Sequence, residues 1–482
     1  MISFFSCLAI LILGYFTYGK VVEKIFRPDE RLAPATLLAD GSDYVKMHPA
    51  RIFLIQLLNI AGLGPIFGAI MGALWGPQVF LWITFGTIFA GAVHDYLTGM
   101  ISMRHKGSSI AELTGIYLGK FMKQVMRIFS VVLLVLVGVA FSTGPAGLLA
   151  MLTPSILSRN FWLVVVLVYY FIATFVPIDK VIGKIYPLFG ICLIVMAVGV
   201  GVGLFVKGYH IPEISLTNLH PKGTAIWPFM FITVACGAIS GFHATQSPLM
   251  ARCLEHEKNG RKIFYGAMVC EGIIALIWAA AGVAFYESTG GLLAAITKFG
   301  GQGGVVYEIC TTLLGPVGAV IAMIGVIACP ISSADTAYRS ARLTIADAFG
   351  LEQKSIKNRL LVTVPLLAVG AFLTQIDVTI IWRYFSWSNQ TLAMIALWIG
   401  AVYLNNNNRG KLYYLIAAIP ATFMSAVSCT YIMMAPEGFR LSAKLSYPTG
   451  IIFAIICFVI FMVVGRKKQI DIVEPVFEEP AK

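Results

Sequence analysis

The sequence predicts an all-α polytopic membrane protein of about 13 transmembrane helices. Five helices are followed by five inverted ones, with one extra helix before them and two after. Three observations lead there. The 482 residues are 58% hydrophobic and only 12% charged, with a mean hydropathy of +0.84, where a soluble domain carries about 25% charged residues. Apolar runs of about 20 residues, enough to cross a bilayer core as a helix, recur along the whole chain. Two of those runs are interrupted by glycine and proline, and they start five spans apart. A soluble enzyme, a disordered chain and a secreted disulfide scaffold are excluded. The nine cysteines, none in a CxxC pair, predict reduced thiols and no metal site.

The candidate spans are 2–18, 51–75, 78–103, 128–149, 161–177, 182–206, 226–250, 263–286, 308–334, 360–375, 378–403, 412–434 and 446–465. They divide the chain into an N-terminal helix and loop (1–50), a first repeat (51–206), a second repeat (226–403), two additional helices (411–465) and a tail (466–482). No basic region precedes 2–18 and no small-residue cleavage site follows, so this reads as an uncleaved first helix. Ser109-Ile110-Ala111-Glu112 is a capping box and predicts a short interfacial helix through about Met126. Gly290-Gly291 and Gly300-Gly301 bracket Leu292–Lys298, either a small lid helix on glycine hinges or a loop. Asn405–Asn408 predicts a tight polar turn, and the tail after Arg466 predicts disorder.

Charge sets the orientation. If 19–51 is cytoplasmic and every span crosses, 28 of the 35 Lys and Arg fall on the cytoplasmic side, six on the other, and Arg383 stays inside a span. That asymmetry predicts an outside N-terminus and a cytoplasmic C-terminus. The net charge of +12 therefore belongs to short loops between apolar runs, and no nucleic-acid partner is implied; the surroundings are membrane lipid.

The interruptions are Asn59-Ile60-Ala61-Gly62-Leu63-Gly64-Pro65 in the second span and Gly237 through Pro248 in the seventh. Glycine costs a helix about 1 kcal/mol and proline about 3, so both spans should unwind near the midplane. Unwound backbone at that depth must be buried in protein or line a polar cavity. Five is an odd number of spans, so the second set enters from the opposite side. Paired broken helices in inverted halves point to a secondary transporter and its binding site. Close packing at glycines explains one such cluster well and two in register much less well.

Charges inside spans are expensive and mark candidate sites. Asp95 and Glu271 each lie nine residues from a cytoplasmic basic residue, about 13 Å deep. Each is either a proton carrier or a structural cap on a broken helix. His243 falls in the second interruption and is a candidate for the cavity, as are Ser240, Gly241 and Gln246; His94 sits beside Asp95 on another helix face and reads as a packing residue. Ser332, Ser333, Asp335 and Thr336 group hydroxyls and a carboxylate within two helical turns, a chemistry suited to Na⁺ or a proton. An intrahelical Asp335–Arg339 pair at i,i+4 is also expected. Arg383 either snorkels to the headgroups, pairs with Asp377, or attracts an anionic substrate. No Walker A, GxSxG or HExxH motif is present, which argues against an ATP-driven pump and against the commonest intramembrane hydrolases.

Several segments resemble the carbon starvation protein A family. They are Asp40-Gly41-Ser42-Asp43-Tyr44-Val45, Ala61–Pro65, Gly91-Ala92-Val93-His94-Asp95, Ala235-Cys236-Gly237-Ala238-Ile239-Ser240-Gly241-Phe242-His243, Cys329–Thr336 and Trp382–Ala393, in consistent order from about 20 to 400. The resemblance implies a non-enzymatic inner-membrane nutrient transporter of the amino acid–polyamine–cation (LeuT-like) group, active in carbon starvation. Its substrate would be short peptides or pyruvate, taken up with H⁺ or Na⁺ and no cofactor. It implies substrate contacts at Asn59, Gly62, Gly64, Ser240, Gly241, His243, Gln246 and Arg383. Cation or proton coupling would fall to Asp95, Glu271, Ser332, Ser333, Asp335 and Thr336. Members carry a His-His pair just before the first interruption, where this chain has Ile55-Gln56, and longer members run well beyond 482 residues. A channel and a nutrient-sensing receptor are the alternatives, the latter lacking an output domain in the short tail.

Overall fold

The computed structural model describes residues 1–470 apart from Ser42, Val176, Pro177, Lys354, Arg409, Lys468 and Gln469. The expected tail from 471 on, Ser42 of the Asp40–Val45 segment and the end of the 161–177 span lie outside the described residues. All regular structure among the described residues is helical. Nine helices there are long and apolar enough to cross a membrane, ten if the bent pair Pro49–Ala61 and Gly64–Trp75 counts as one span. Three of the expected thirteen segments fall outside that class. Arg159–Ala173 is only 15 residues long, 226–250 is split into two short helices, and Val378–Asn407 carries a polar stretch from Ser386 to Thr391.

Burial sorts the helices into centre and rim. In Val79–Arg104 and Glu257–Phe285, 83% of the most apolar stretch is buried, against 28% in Ile2–Phe26 and Ile356–Leu373 and 17% in Ala443–Gly465. The central Gly266–Phe285 helix is lined with Gly272, Ala275, Ala279, Ala280, Ala281 and Gly282. Small side chains let neighbouring backbones approach closely, which is how helices gain contact without a hydrophobic drive between them. Around this centre the 33-residue Lys120–Leu152 helix packs along Gln302–Phe349, and both touch the first broken helix or its flanks.

The loops expected on one side do meet at one end. Arg104 donates to the Glu257 carboxylate at 2.9 Å and to the Tyr403 hydroxyl at 2.6 Å. Arg261 binds Glu23 at 2.7 Å, and Arg339 lies 3.9 Å from Asp43. Burial and the neighbouring Arg104 push the His105 imidazole down to about 4. At the other end the Met1 ammonium binds Glu213.

Some local expectations need correction. Ser109 does cap Ile110–Leu118, accepting from the Glu112 amide at 3.4 Å. The helix stops at Leu118 and not near Met126, because the chain turns at Gly119 and a new helix starts at Lys120. Glu112 binds Lys123 and Arg127 across that turn in place of closing the box. Of the two readings of 292–298 the helix is found, spanning Thr289–Lys298 with Ser288 as its cap. Asn405–Asn407 form the last turn of Val378–Asn407 and not a turn between helices, since Asn406 and Asn408 donate back to Val402 and Leu404 carbonyls.

Candidate functional site

The two interruptions are real breaks, and they touch. The first falls at Gly62–Leu63, where Pro49–Ala61 ends and the chain bends by 51° into Gly64–Trp75. The second is the unwound stretch 234–240 between Phe229–Thr233 and Gly241–Ala251. A Cβ on Gly64 would lie 2.1 Å from the Cys236 Cβ, so only glycine lets the breaks cross here. Gly237 has a φ of +94°, a backbone conformation that favours glycine, and its α-carbon faces Ala275 and Pro65.

The second break ends sooner than its sequence suggests. Pro248 lies inside the Gly241–Ala251 helix and does not interrupt it. A proline disturbs the carbonyls of the preceding turn, and here the Ser340 hydroxyl reaches the Thr245 carbonyl at 3.2 Å. His243 is consequently in the first turn of a helix and not in unwound chain.

Side chains from other helices hold the unwound stretch. Trp82 Nε1 donates to the Val234 carbonyl at 3.1 Å and Thr87 Oγ1 to the Gly237 carbonyl at 2.8 Å. Asn389 caps the following helix: its Oδ1 accepts from the Phe242 amide at 2.6 Å and its Nδ2 lies 3.0 Å from Ser240 Oγ. Gly241 packs directly on the Asn389 backbone. None of Trp82, Thr87 and Asn389 was singled out by sequence; the polar pair Asn389-Gln390 within an apolar span was the available signal for one of them.

Asp95, His243 and Glu271 come together, fully buried. His243 Nδ1 is 2.9 Å from Asp95 Oδ2 and its Nε2 is 3.3 Å from Glu271 Oε2. His94 is part of this group and not a packing residue, with its Nδ1 2.7 Å from Asp95 Oδ1. The Cys236 Sγ, the His243 ring and the Glu271 carboxylate have ligand-capable atoms within 4.8 Å of one another. The absence of any CxxC pair predicts no metal site, and Cys236, His243 and Glu271 meet only through the fold.

Asn59, at the first break, is buried with neither side-chain polar atom hydrogen-bonded. Gln56 Oε1 and Gln246 Oε1 are likewise buried and unsatisfied, although Gln56 Nε2 reaches Ser247 and Gln246 Nε2 reaches Thr245. Buried polar atoms without partners are rare and call for a ligand or a water. Across the first break, Ser333 Oγ and Cys329 Sγ donate to the Leu58 carbonyl at 3.2 and 3.3 Å. Ser332 and Thr336 turn back on carbonyls of their own helix.

Asp335 accepts from Tyr186 of another helix at 2.7 Å, and the expected Arg339 charge also acts on it. The Tyr186 hydroxyl is 3.1 Å from that of Tyr169. A half-open, mainly apolar groove of about 620 Å³ has Tyr169, Tyr186 and Ser332 among its lining, together with the exposed Val320 and Ile324. Arg383 stands apart, 44% exposed, with its Nε 3.5 Å from the buried Glu437. Asp377, its expected alternative partner, caps its own helix at Thr379.

The model of the family described as carbon starvation protein CstA matches residues 1–155, 148–289 and 289–431. The chain belongs to that family. An uncharacterised membrane protein of Haemophilus influenzae is 44% identical over 350 residues, 62% of this chain and 94% of its own. Two relatives carry transporter names. The peptide transporter CstA of Campylobacter jejuni is 29% identical over 56% of this chain and 48% of its own length. The pyruvate/proton symporter BtsT of Escherichia coli is 25% identical over 56% of this chain and 47% of its own. The chain thus spans about half the length of these two. The fold is also that of MhsT, solved with L-phenylalanine, at a TM-score of 0.56 and 14% identity over 87% of this chain and 99% of that one. This CstA-family chain is a multi-pass membrane protein with the LeuT-type inverted-repeat fold.

Proposed function

We infer that the chain is a secondary active importer of a small organic nutrient, a short peptide or pyruvate, in the bacterial inner membrane with its N-terminus outside. The observation that carries this is the contact of two broken helices beside Asn59, a buried amide with no partner of its own. Polar atoms kept dry and unpaired cost about 1–3 kcal/mol each, a cost that a bound substrate offsets by supplying the missing hydrogen bonds. Backbone at Gly62 and Gly64 and the unsatisfied Gln246 amide oxygen are the further polar contacts assigned to the substrate in this reading.

Coupling is assigned to Asp335. Tyr169 and Tyr186 form a hydroxyl chain from the 620 Å³ groove to its buried carboxylate, and such a chain passes protons. Sodium is the second reading, favoured by the hydroxyl of Ser333 beside the Leu58 carbonyl. Alternating access then comes from rocking one bundle against the other around the breaks. Arg383, 44% exposed and 3.5 Å from Glu437, is left outside the substrate site in this reading.

Reconstituted protein with labelled pyruvate and labelled di- and tripeptides, under imposed H⁺ or Na⁺ gradients, tests this reading. Saturable accumulation of one substrate class, driven by one gradient, supports it. A conductance that does not saturate, or binding without accumulation, overturns it in favour of a channel or a receptor. Asp335→Asn should abolish gradient-driven uptake while expression and thermal unfolding stay as in wild type; full uptake by this variant removes the coupling role.

A further inference from the structure

We propose that Cys236, His243 and Glu271 form a binding site for one soft divalent transition-metal ion of the Zn²⁺ class, with Asp95 and Asn389 supporting the ligands. The inference goes beyond the transport reading and uses none of its coupling residues. Four observations carry it.

First, the donor set is complete for such an ion. Thiolate, imidazole and carboxylate are the usual zinc ligands, and three of them with an open fourth position is the pattern of a reactive or ligand-exchanging site. The sulfur favours zinc, cobalt or copper over magnesium, calcium or manganese. Second, the atoms already converge. Tetrahedral bonds of about 2.0–2.3 Å put ligand atoms about 3.3–3.8 Å apart. His243 Nε2 and Glu271 Oε2 are 3.3 Å apart, and the whole set lies within 4.8 Å. A small side-chain adjustment closes the difference.

Third, the ligand atoms of His243 and Glu271 face each other and make no well-formed hydrogen bond. Both oxygens of Glu271 and Nε2 of His243 are buried without a hydrogen bond. Asp95 Oδ2 lies 2.9 Å from His243 Nδ1. With the Nδ1 proton held there, the Nε2 lone pair points at the Glu271 carboxylate. Such a facing pair takes up either a proton or a metal cation, and the Cys236 thiolate, the Glu271 carboxylate and the Asp95 carboxylate behind His243 give the site enough negative charge for a divalent ion. Fourth, the outer partners are in place. A carboxylate on the far nitrogen of a histidine ligand fixes its tautomer and orientation. Asn389 Nδ2 lies 3.6 Å from Cys236 Sγ and Ser240 Oγ 3.4 Å from it, so two polar groups flank the sulfur.

The test is a titration of the purified full-length chain with Co²⁺, followed by absorbance. One equivalent should give a sulfur-to-cobalt charge-transfer band, which Zn²⁺ abolishes and Mg²⁺ does not. Cys236→Ser should remove the band. Asp95→Asn should weaken Co²⁺ binding by about 10–100-fold while keeping the band. Because Gly64 packs against Cys236, Glu271→Gln serves as a second variant. Zn²⁺ should raise the thermal unfolding midpoint of the wild type, and that rise should be lost in Glu271→Gln. A wild type without the band, or a band and a Zn²⁺ shift that persist in both Cys236→Ser and Glu271→Gln, overturns the proposal and leaves the cluster as a shared-proton network. None of these readouts depends on transport.

Discussion

The two broken helices meet, yet they are built differently. The first bends over two residues and continues at once as helix, and its Leu58 carbonyl is taken up by Ser333 and Cys329 of a single neighbouring helix. The second unwinds over seven residues, and two helices, Val79–Arg104 with Trp82 and Thr87 and Val378–Asn407 with Asn389, hold it. The first break keeps its unsatisfied polar atoms on a side chain, Asn59. The second has its backbone wired to neighbours and its side chains drawn into a buried charge cluster. The contrast assigns ligand contact to the first and shape to the second. Backbone groups that are paired, as at Val234, Gly237 and Phe242, fix a conformation, while the unpaired side-chain atoms of His243 and Glu271 are left for the proposed ion.

The largest effect expected from breaking this division is at Gly237. Its left-handed φ and a Cβ that would lie 2.4 Å from the Ala275 Cβ make Gly237→Ala cost about 3 kcal/mol, the sum of overpacking and backbone strain. Thermal unfolding of purified protein should show a drop of that order, and a midpoint equal to wild type would mean the second break is not held in this shape. Asn389→Ala comes next. It strands the buried Phe242 amide, at about 1–3 kcal/mol, and should slow uptake together with the loss of stability. Uptake at the wild-type rate in this variant would deny the second break its shaping role. The smallest effect belongs to Arg383→Gln, at a pair 44% exposed on one side, where under about 1 kcal/mol is at stake. The concentration for half-maximal uptake should not change; a tenfold increase would return Arg383 to the substrate site.

The breaks were legible because glycine and proline act locally, through their own backbones. The chain unwinds at Gly62-Leu63, inside the Asn59–Pro65 interruption expected from sequence, whose other residues stay helical. The end of the second break was not legible, since Pro248 is accommodated by Ser340, 92 positions away. Asp95 and Glu271 were found by their cost in the membrane, but not their meeting at His243, which depends on three helices crossing. The same holds for Tyr186 joining Arg339 at Asp335: the i,i+4 rule sees one helix and the structure uses two. Cys236 carried no signal as a lone cysteine beside a glycine; only the crossing of the breaks sets it against His243 and Glu271.

The central claim is that the first break binds the cargo through a buried amide that the fold itself leaves unpaired. Asn59→Val, with an apolar side chain close in volume, tests it by separating stability from uptake. Removing an unpaired buried polar group should raise the unfolding midpoint, while accumulation of labelled pyruvate or peptide in proteoliposomes should fall at least tenfold. A variant that is more stable and still accumulates substrate at the wild-type rate would contradict the account.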